Sequence, residues 1–354
     1  MDTGSSRPRL RRTLTMEHWP AADRLAWIAA CQPSVRLHRG GAAAHLKVVS
    51  QGDLAKRYGL FLGYLLRLGR LDEAAAAGAH VTPANIAAYI DDLNRRVSSV
   101  TAYNCIHNVR RITNLIAPEH DVAWLKDSEN DLAFAMRPRS KAGRFVLTKV
   151  LSAAGFTLMA EAEASNQPLL TRARHYRNGL MIALLAYVPI RLKNFAALEL
   201  GRTIVKVKET WWIVLPASET KEARHDERPV DERVGVALER YLSFYRPVLA
   251  RTEKPPFALW LSSRDGTPLS YAAVESIITE TTRSATGVSV SPHLFRTAGV
   301  STAALECPEN PYFGSALLHH HDPRTAVNSY NRAGVLSAGL TYQRIINDYS
   351  SDEG

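Results

Sequence analysis

A histidine stands nine positions before a tyrosine in the run His321-Asp322-Pro323-Arg324-Thr325-Ala326-Val327-Asn328-Ser329-Tyr330. Upstream lies His293-Leu294-Phe295-Arg296, and well before that a lone arginine, Arg191, follows Pro189-Ile190. Arginine offers paired N–H donors that match phosphate oxygens, which lysine cannot do. Imidazoles add further donors. A free phenol ionises only near pH ~10, so a cationic site must help it become a nucleophile. Fixed donors around the non-bridging oxygens, together with a nucleophile, are what attack on a phosphodiester requires. This residue set implies phosphoryl transfer without metal or other cofactor.

Such side chains need firm supports, and the sequence suggests them. His293 and Arg296 are spaced i, i+3, so on a helix they share a face, and Pro292 suits the first turn of that helix, predicted over 293–305. Asp322-Pro323 repeats the start signal, with aspartate as N-cap and proline at N1, for a helix that carries Tyr330. An apolar helix over 177–187 is stopped by Val188-Pro189, and a new helix is expected over 191–200. Strands over 204–208 and 212–215 flank a turn at Glu209-Thr210, and a third strand is expected over 228–230, after a turn holding Lys221. Further helices are expected over 234–245 and 271–284, the latter capped by Ser270.

The first half is helical almost throughout. Leu54, Tyr58, Leu62 and Leu65 recur at helical spacing up to Gly69, and Thr82-Pro83 opens another helix carrying Ile86, Tyr89, Ile90 and Leu93. A third, over 99–116, carries Tyr103, Ile106, Val109, Ile112 and Leu115 as its apolar stripe. Its other face holds Asn104, His107, Asn108, Arg110 and Arg111, a set able to sit on a phosphate backbone or simply to face solvent. Between the halves Arg139, Lys141 and Arg144 punctuate a proline- and glycine-broken basic linker. The expected division is a basic arm over 1–16, a helical DNA-binding domain over 17–140 and a catalytic domain over 141–354. The fold class is mainly α with a small antiparallel β-sheet, an α+β layout.

The chain has 354 residues, a net charge of +10 and an apolar content of 46%. Its size suits two domains, and its charge favours nucleic acid or an anionic surface as partner. Three widely spaced cysteines fit reduced thiols rather than a disulfide framework. The polar start carries no secretory signal, and the longest apolar run, 180–190, is short of the ~20 residues of a membrane span. The expectation is a cytoplasmic, nucleoid-associated protein with no membrane partner.

Taken together, Arg191 in Pro-Ile-Arg-Leu-Lys-Asn, Lys221 in the β-turn, His293-x-x-Arg296, His321 and Tyr330 resemble the tyrosine recombinase family of phage integrases and Xer-type enzymes. The resemblance covers 147–346 by motif, and the helical domain before it matches in layout. It implies site-specific DNA recombination or integration through a covalent 3′-phosphotyrosyl intermediate, independent of metal and ATP. Tyr330 would be the nucleophile, Arg191 and Arg296 the phosphate clamp, His293 and His321 further donors, and Lys221 the acid that protonates the leaving 5′ oxygen. His293 would also take the tyrosine proton. The partners implied are double-stranded DNA, clamped between the two domains, and further copies of the chain, four on two sites. Residues 336–346 are apolar enough to pass to a neighbour or to pack on their own domain. An accessory recombinase or directionality factor is a further possible partner. The chain departs from the family pattern at Asn194, where glutamate is common, at Thr297, where a basic residue or histidine is common, and at His320, where glycine is usual. His319-His320-His321 is not a metal site on this reading, because consecutive helical residues point about 100° apart. The alternatives are a type IB topoisomerase-like DNA relaxation activity and a non-catalytic DNA-binding regulator.

Overall fold

The computed structural model describes residues 13–36, 39–137, 146–220, 223–252, 256–307, 310, 312–318 and 342–343. Its contacts divide the chain into two compact units, Met1–Ser140 and Lys141–Gly354. Arg139, Lys141 and Arg144 lie outside the described residues.

The first unit is helical: α1 (Ala21–Ala30), α2 (Val48–Arg67), α3 (Pro83–Arg96), α4 (Ser99–Ile116) and α5 (Leu125–Phe134). Local signals set its boundaries. Thr82 accepts a hydrogen bond from Asn85 N with Pro83 at the first turn of α3, and Ser98 accepts from Thr101 N at the start of α4. Beyond α2, Gly69 takes φ 67°, a left-handed conformation that lets Arg70 N reach back to Leu65 O at 3.0 Å. Tyr58, Phe61, Leu62, Ile86, Tyr89, Ile106, Val109 and Ile112 fill the core. On α4 the buried line includes Ala102 and Cys105, so the stripe is rotated slightly, and Tyr103 and Leu115 are only half-buried. Asp23, fully buried on α1, accepts from Tyr58 Oη at 3.2 Å and from Gly78 N at 2.7 Å, tying α1 to α2 and to the loop before α3.

The second unit opens with α6 (Thr148–Ala164), α7 (Leu169–Tyr187) and α8 (Leu192–Ala196). A three-stranded antiparallel sheet follows, β1 (Ile204–Val207), β2 (Thr210–Leu215) and β3 (Asp226–Pro229), in the order β1-β2-β3. Then come α9 (Glu232–Arg240), a π-helical turn at Tyr241–Tyr245, α10 (Arg246–Ala250), α11 (Tyr271–Thr286), α12 (Pro292–Glu306) and α13 (Phe313–Leu318). The fold is therefore mainly α with a small antiparallel sheet.

Several elements differ from the sequence reading, and the helix expected over 177–187 begins earlier, at Leu169. The helix after Pro189 ends at Ala196, because Leu198–Leu200 are drawn into extended pairing: Leu259 N donates to Leu198 O and Leu200 N to Phe257 O, both at 2.8 Å. The β1–β2 register pairs Val207 with Thr210, so the turn is Lys208-Glu209, one residue earlier than expected, with Lys208 at φ 54°. The third strand starts at Asp226 rather than Arg228 and pairs Asp226 with Leu215.

α6 and α7 supply the floor of this unit. They meet through facing glycines: a Cβ on Gly155 would lie 2.7 Å from Ala183 N, and one on Gly179 would lie 2.7 Å from Gly155 O. The helix backbones are in contact there, and only glycine allows it.

Candidate active site

Arg191 occupies the N-cap position of α8. α7 stops at Tyr187 because Pro189 has no N–H to continue it, and the turn Val188-Pro189-Ile190 packs with Val188 and Ile190 buried. The carbonyl of Arg191 accepts from Asn194 N and Phe195 N, leaving its side chain half-buried at the head of the helix. Asn194, buried on α8, is uncharged where the family pattern has an acid.

Arg296 reaches the same place from far along the sequence. It lies on α12 one turn after His293, which is exposed at the helix start beside Pro292. Arg296 itself is buried, at 6% exposure. Its Nη1 donates to Pro189 O at 2.7 Å, two residues before Arg191, and its Nη2 donates to Leu318 O at 3.0 Å. Gly299, on the next turn, leaves room for this approach: a Cβ there would lie 3.3 Å from Leu317 Cδ2 and 3.5 Å from Pro189 Cγ. One guanidinium thus joins α12, the turn that presents Arg191, and the end of α13.

A third arginine, not singled out in the sequence, belongs to the cluster. Arg228 on β3 is 9% exposed and pairs side-on with Asp226, Nε to Oδ1 at 2.8 Å and Nη2 to Oδ2 at 3.0 Å. Its Nη1 donates to Leu317 O at 2.7 Å. Two residues apart on a strand, Asp226 and Arg228 point to one face, and that spacing was the signal available. It went unread because a charged pair gives no apolar alternation.

The electrostatics follow from this crowding. Burial first, and then the charges of Arg191 and Arg228, push the Arg296 guanidinium down to about 10, with Asp226 opposing. Among the described residues the cluster joins three guanidiniums to one carboxylate, and crowded positive charge of this kind favours a nearby anion.

The other proposed catalytic residues are placed as follows. Lys221 lies outside the described residues, in the segment joining β2 to β3. Its flank is tied: Thr220 Oγ1 accepts from Arg224 N at 2.9 Å and donates to Arg224 O at 2.7 Å. His321 and Tyr330 also lie outside the described residues, beyond Leu318. Among the described residues no group of three or more His, Cys, Asp or Glu could hold a metal ion, and no helix is long and apolar enough to cross a membrane.

On α4 the polar face is already engaged within its own unit. Arg110 forms a two-point pair with Glu129 of α5, whose side chain is fully buried; its Nη2 donates to Oε2 at 3.1 Å and its Nε to Oε1. His107 Nδ1 stands 3.4 Å and Lys126 Nζ 3.6 Å from the same carboxylate. Burial raises the Glu129 carboxyl, and Arg110 with His107 more than reverses this, holding it below the ordinary carboxylate value. The amides of Asn104 and Asn108 donate to Val100 O and Asn104 O, one turn back. Asn104 and Arg111 are the exposed members of this face.

No family model matches this sequence, and no curated protein sequence matches it. The fold, however, is that of solved recombinases. It superposes on XerH site-specific recombinase in a post-cleavage complex with palindromic difH substrate at a TM-score of 0.56 and 13% identity, covering 97% of this chain and 100% of that one. The pre-cleavage complex of XerH with difH gives 0.56 at 14% identity, covering 90% and 96%.

Proposed function

We propose that this chain is a tyrosine-type site-specific DNA recombinase, cutting and rejoining double-stranded DNA through a 3′-phosphotyrosyl link. The observation that carries the reading is the convergence of Arg191 and Arg296: Arg296 bonds the Pro189 carbonyl and feels the Arg191 charge. The likeness in fold to recombinases solved with DNA substrate supports it.

In this reading Arg191 and Arg296 hold the non-bridging oxygens of the scissile phosphate and meet the charge that grows on them. His293 and His321 add donors, and His293 receives the phenolic proton. The Tyr330 oxygen attacks phosphorus, a new P–O bond forms, and the bond to the 5′ oxygen breaks. Lys221 gives that oxygen its proton, so a free 5′-hydroxyl leaves. The tyrosyl ester keeps the bond energy until a 5′-hydroxyl of another strand attacks and returns the proton by the reverse path. The guanidiniums supply the positive charge that a metal would otherwise bring, so neither metal nor ATP takes part. Four protomers on two sites complete an exchange.

Strand-cleavage assays on nicked duplexes tiled across DNA flanking the protein's gene, run in EDTA, test this. Arg191→Ala should slow cleavage by about 10²–10³-fold, the usual loss for one transition-state donor. Tyr330→Phe should abolish cleavage while gel-shift affinity stays within a few-fold. Equal cleavage by wild type and Tyr330→Phe would refute the proposal.

A further inference from the structure

The last two carbonyls of α13 are each received by an arginine, Leu317 O by Arg228 and Leu318 O by Arg296. Helix ends leave such carbonyls without intrahelical donors, and here two buried cations from different elements close them. The two arginines therefore hold one helix end between them, and Arg296 also bonds Pro189 O beside Arg191. Arg228 can do so only if its own fork is held, and Asp226 takes two of its N–H groups side-on from the same strand face. The carboxylate also offsets the mutual repulsion of the three guanidiniums.

We infer that Asp226 and Arg228 are positioning residues of the phosphoryl-transfer site: Arg228 anchors the end of α13, on which Arg296 also bonds, while Asp226 locks Arg228 in that geometry. The inference rests on the proposed recombinase reading for its consequence in catalysis, but the anchoring itself is independent of it. Lysine cannot replace Arg228, because a single ammonium does not make a planar two-point pair with Asp226 and reach Leu317 O as well. A positioning error of an ångström in a site of this kind costs about 10²-fold in rate.

The test uses full-length wild type, Arg228→Lys and Asp226→Asn, with two readouts. Amide hydrogen exchange follows the peptide spanning 313–318, and single-turnover adduct formation is measured on the nicked duplex that wild type cleaves. Both variants should exchange at least about ten-fold faster in that peptide, with the rest of the second unit unchanged. The adduct rate, measured well below the melting temperature of each variant, should fall by on the order of 10²-fold while duplex affinity holds. The same loss should appear on a duplex with a 5′-bridging sulfur, a leaving group that needs no acid, because Arg228 acts through α13 and not through the Lys221 segment. Unchanged exchange would overturn the anchoring. Full activity of Arg228→Lys, or recovery of its rate by the sulfur leaving group, would overturn the positioning role. If wild type forms no adduct on any duplex, the recombinase reading fails, and the exchange data still decide whether Arg228 holds α13.

Discussion

Glu129 draws two residues of the polar face of α4, Arg110 and His107, into an ion-pair network within the first unit. Glu129→Gln leaves Arg110, about a quarter exposed, with a weaker acceptor, and should lower the stability of the first unit by about 1–3 kcal/mol in urea melts. The pH dependence has a definite sign. The folded carboxyl sits below its ordinary value of 4.5, so its contribution is complete above that pH and is lost as pH falls through the folded value. Acidification below about pH 4.5 should therefore narrow the stability gap between wild type and Glu129→Gln, and a gap that widens in acid would contradict the pairing. Arg110 and His107 were legible as one polar helix face, but Glu129 lies nineteen positions on from Arg110, and a sequence does not say which helix folds back. The clustered arginines show the same division. Arg191 and Arg296 stand out through residue type and order. Asp226 and Arg228 do not, because the strand expected over 228–230 leaves Asp226 outside it, and only the pairing with β2 extends it to that residue.

At the scale of elements, α6 and α7 carry the clearest expectation. Alanine in place of a mid-helix glycine ordinarily stabilises by about 1 kcal/mol. At Gly155 and Gly179 the added methyl would meet backbone atoms of the facing helix at 2.7 Å. Each substitution should instead destabilise the second unit by about 1–3 kcal/mol, as overpacking does, read as a lower melting temperature. A higher one would mean that the helices separate at little cost. Helix ends marked by Thr82-Pro83, Ser270 and Gly69 are legible because capping is local. The end of α8 was not, because it is set by pairing of Leu198–Leu200 with a segment sixty residues away. The β1–β2 turn falls at Lys208-Glu209 through the register of the hairpin itself, which pairs Val207 with Thr210.

At the scale of the whole molecule, a net charge of +10 makes salt the simplest probe of a nucleic-acid partner. If about 6–10 phosphates are neutralised, affinity for a random duplex should fall by ~10³–10⁵ between 50 and 200 mM salt. A flat salt dependence in gel shifts would remove the electrostatic basis for DNA binding. Composition suggests this partner class, and the order of motifs suggests the chemistry proposed above. The fold joins the two, since it brings arginines a hundred residues apart onto one turn and one helix end. The most direct test of that chemistry is to digest the protein after incubation with nicked duplexes in EDTA and to map any nucleotide-linked peptide by mass spectrometry. The account predicts a 3′-phosphotyrosyl link on Tyr330 that disappears in Tyr330→Phe. A link on Tyr312 or Tyr342, or no linked peptide on any duplex that the protein binds, would contradict it.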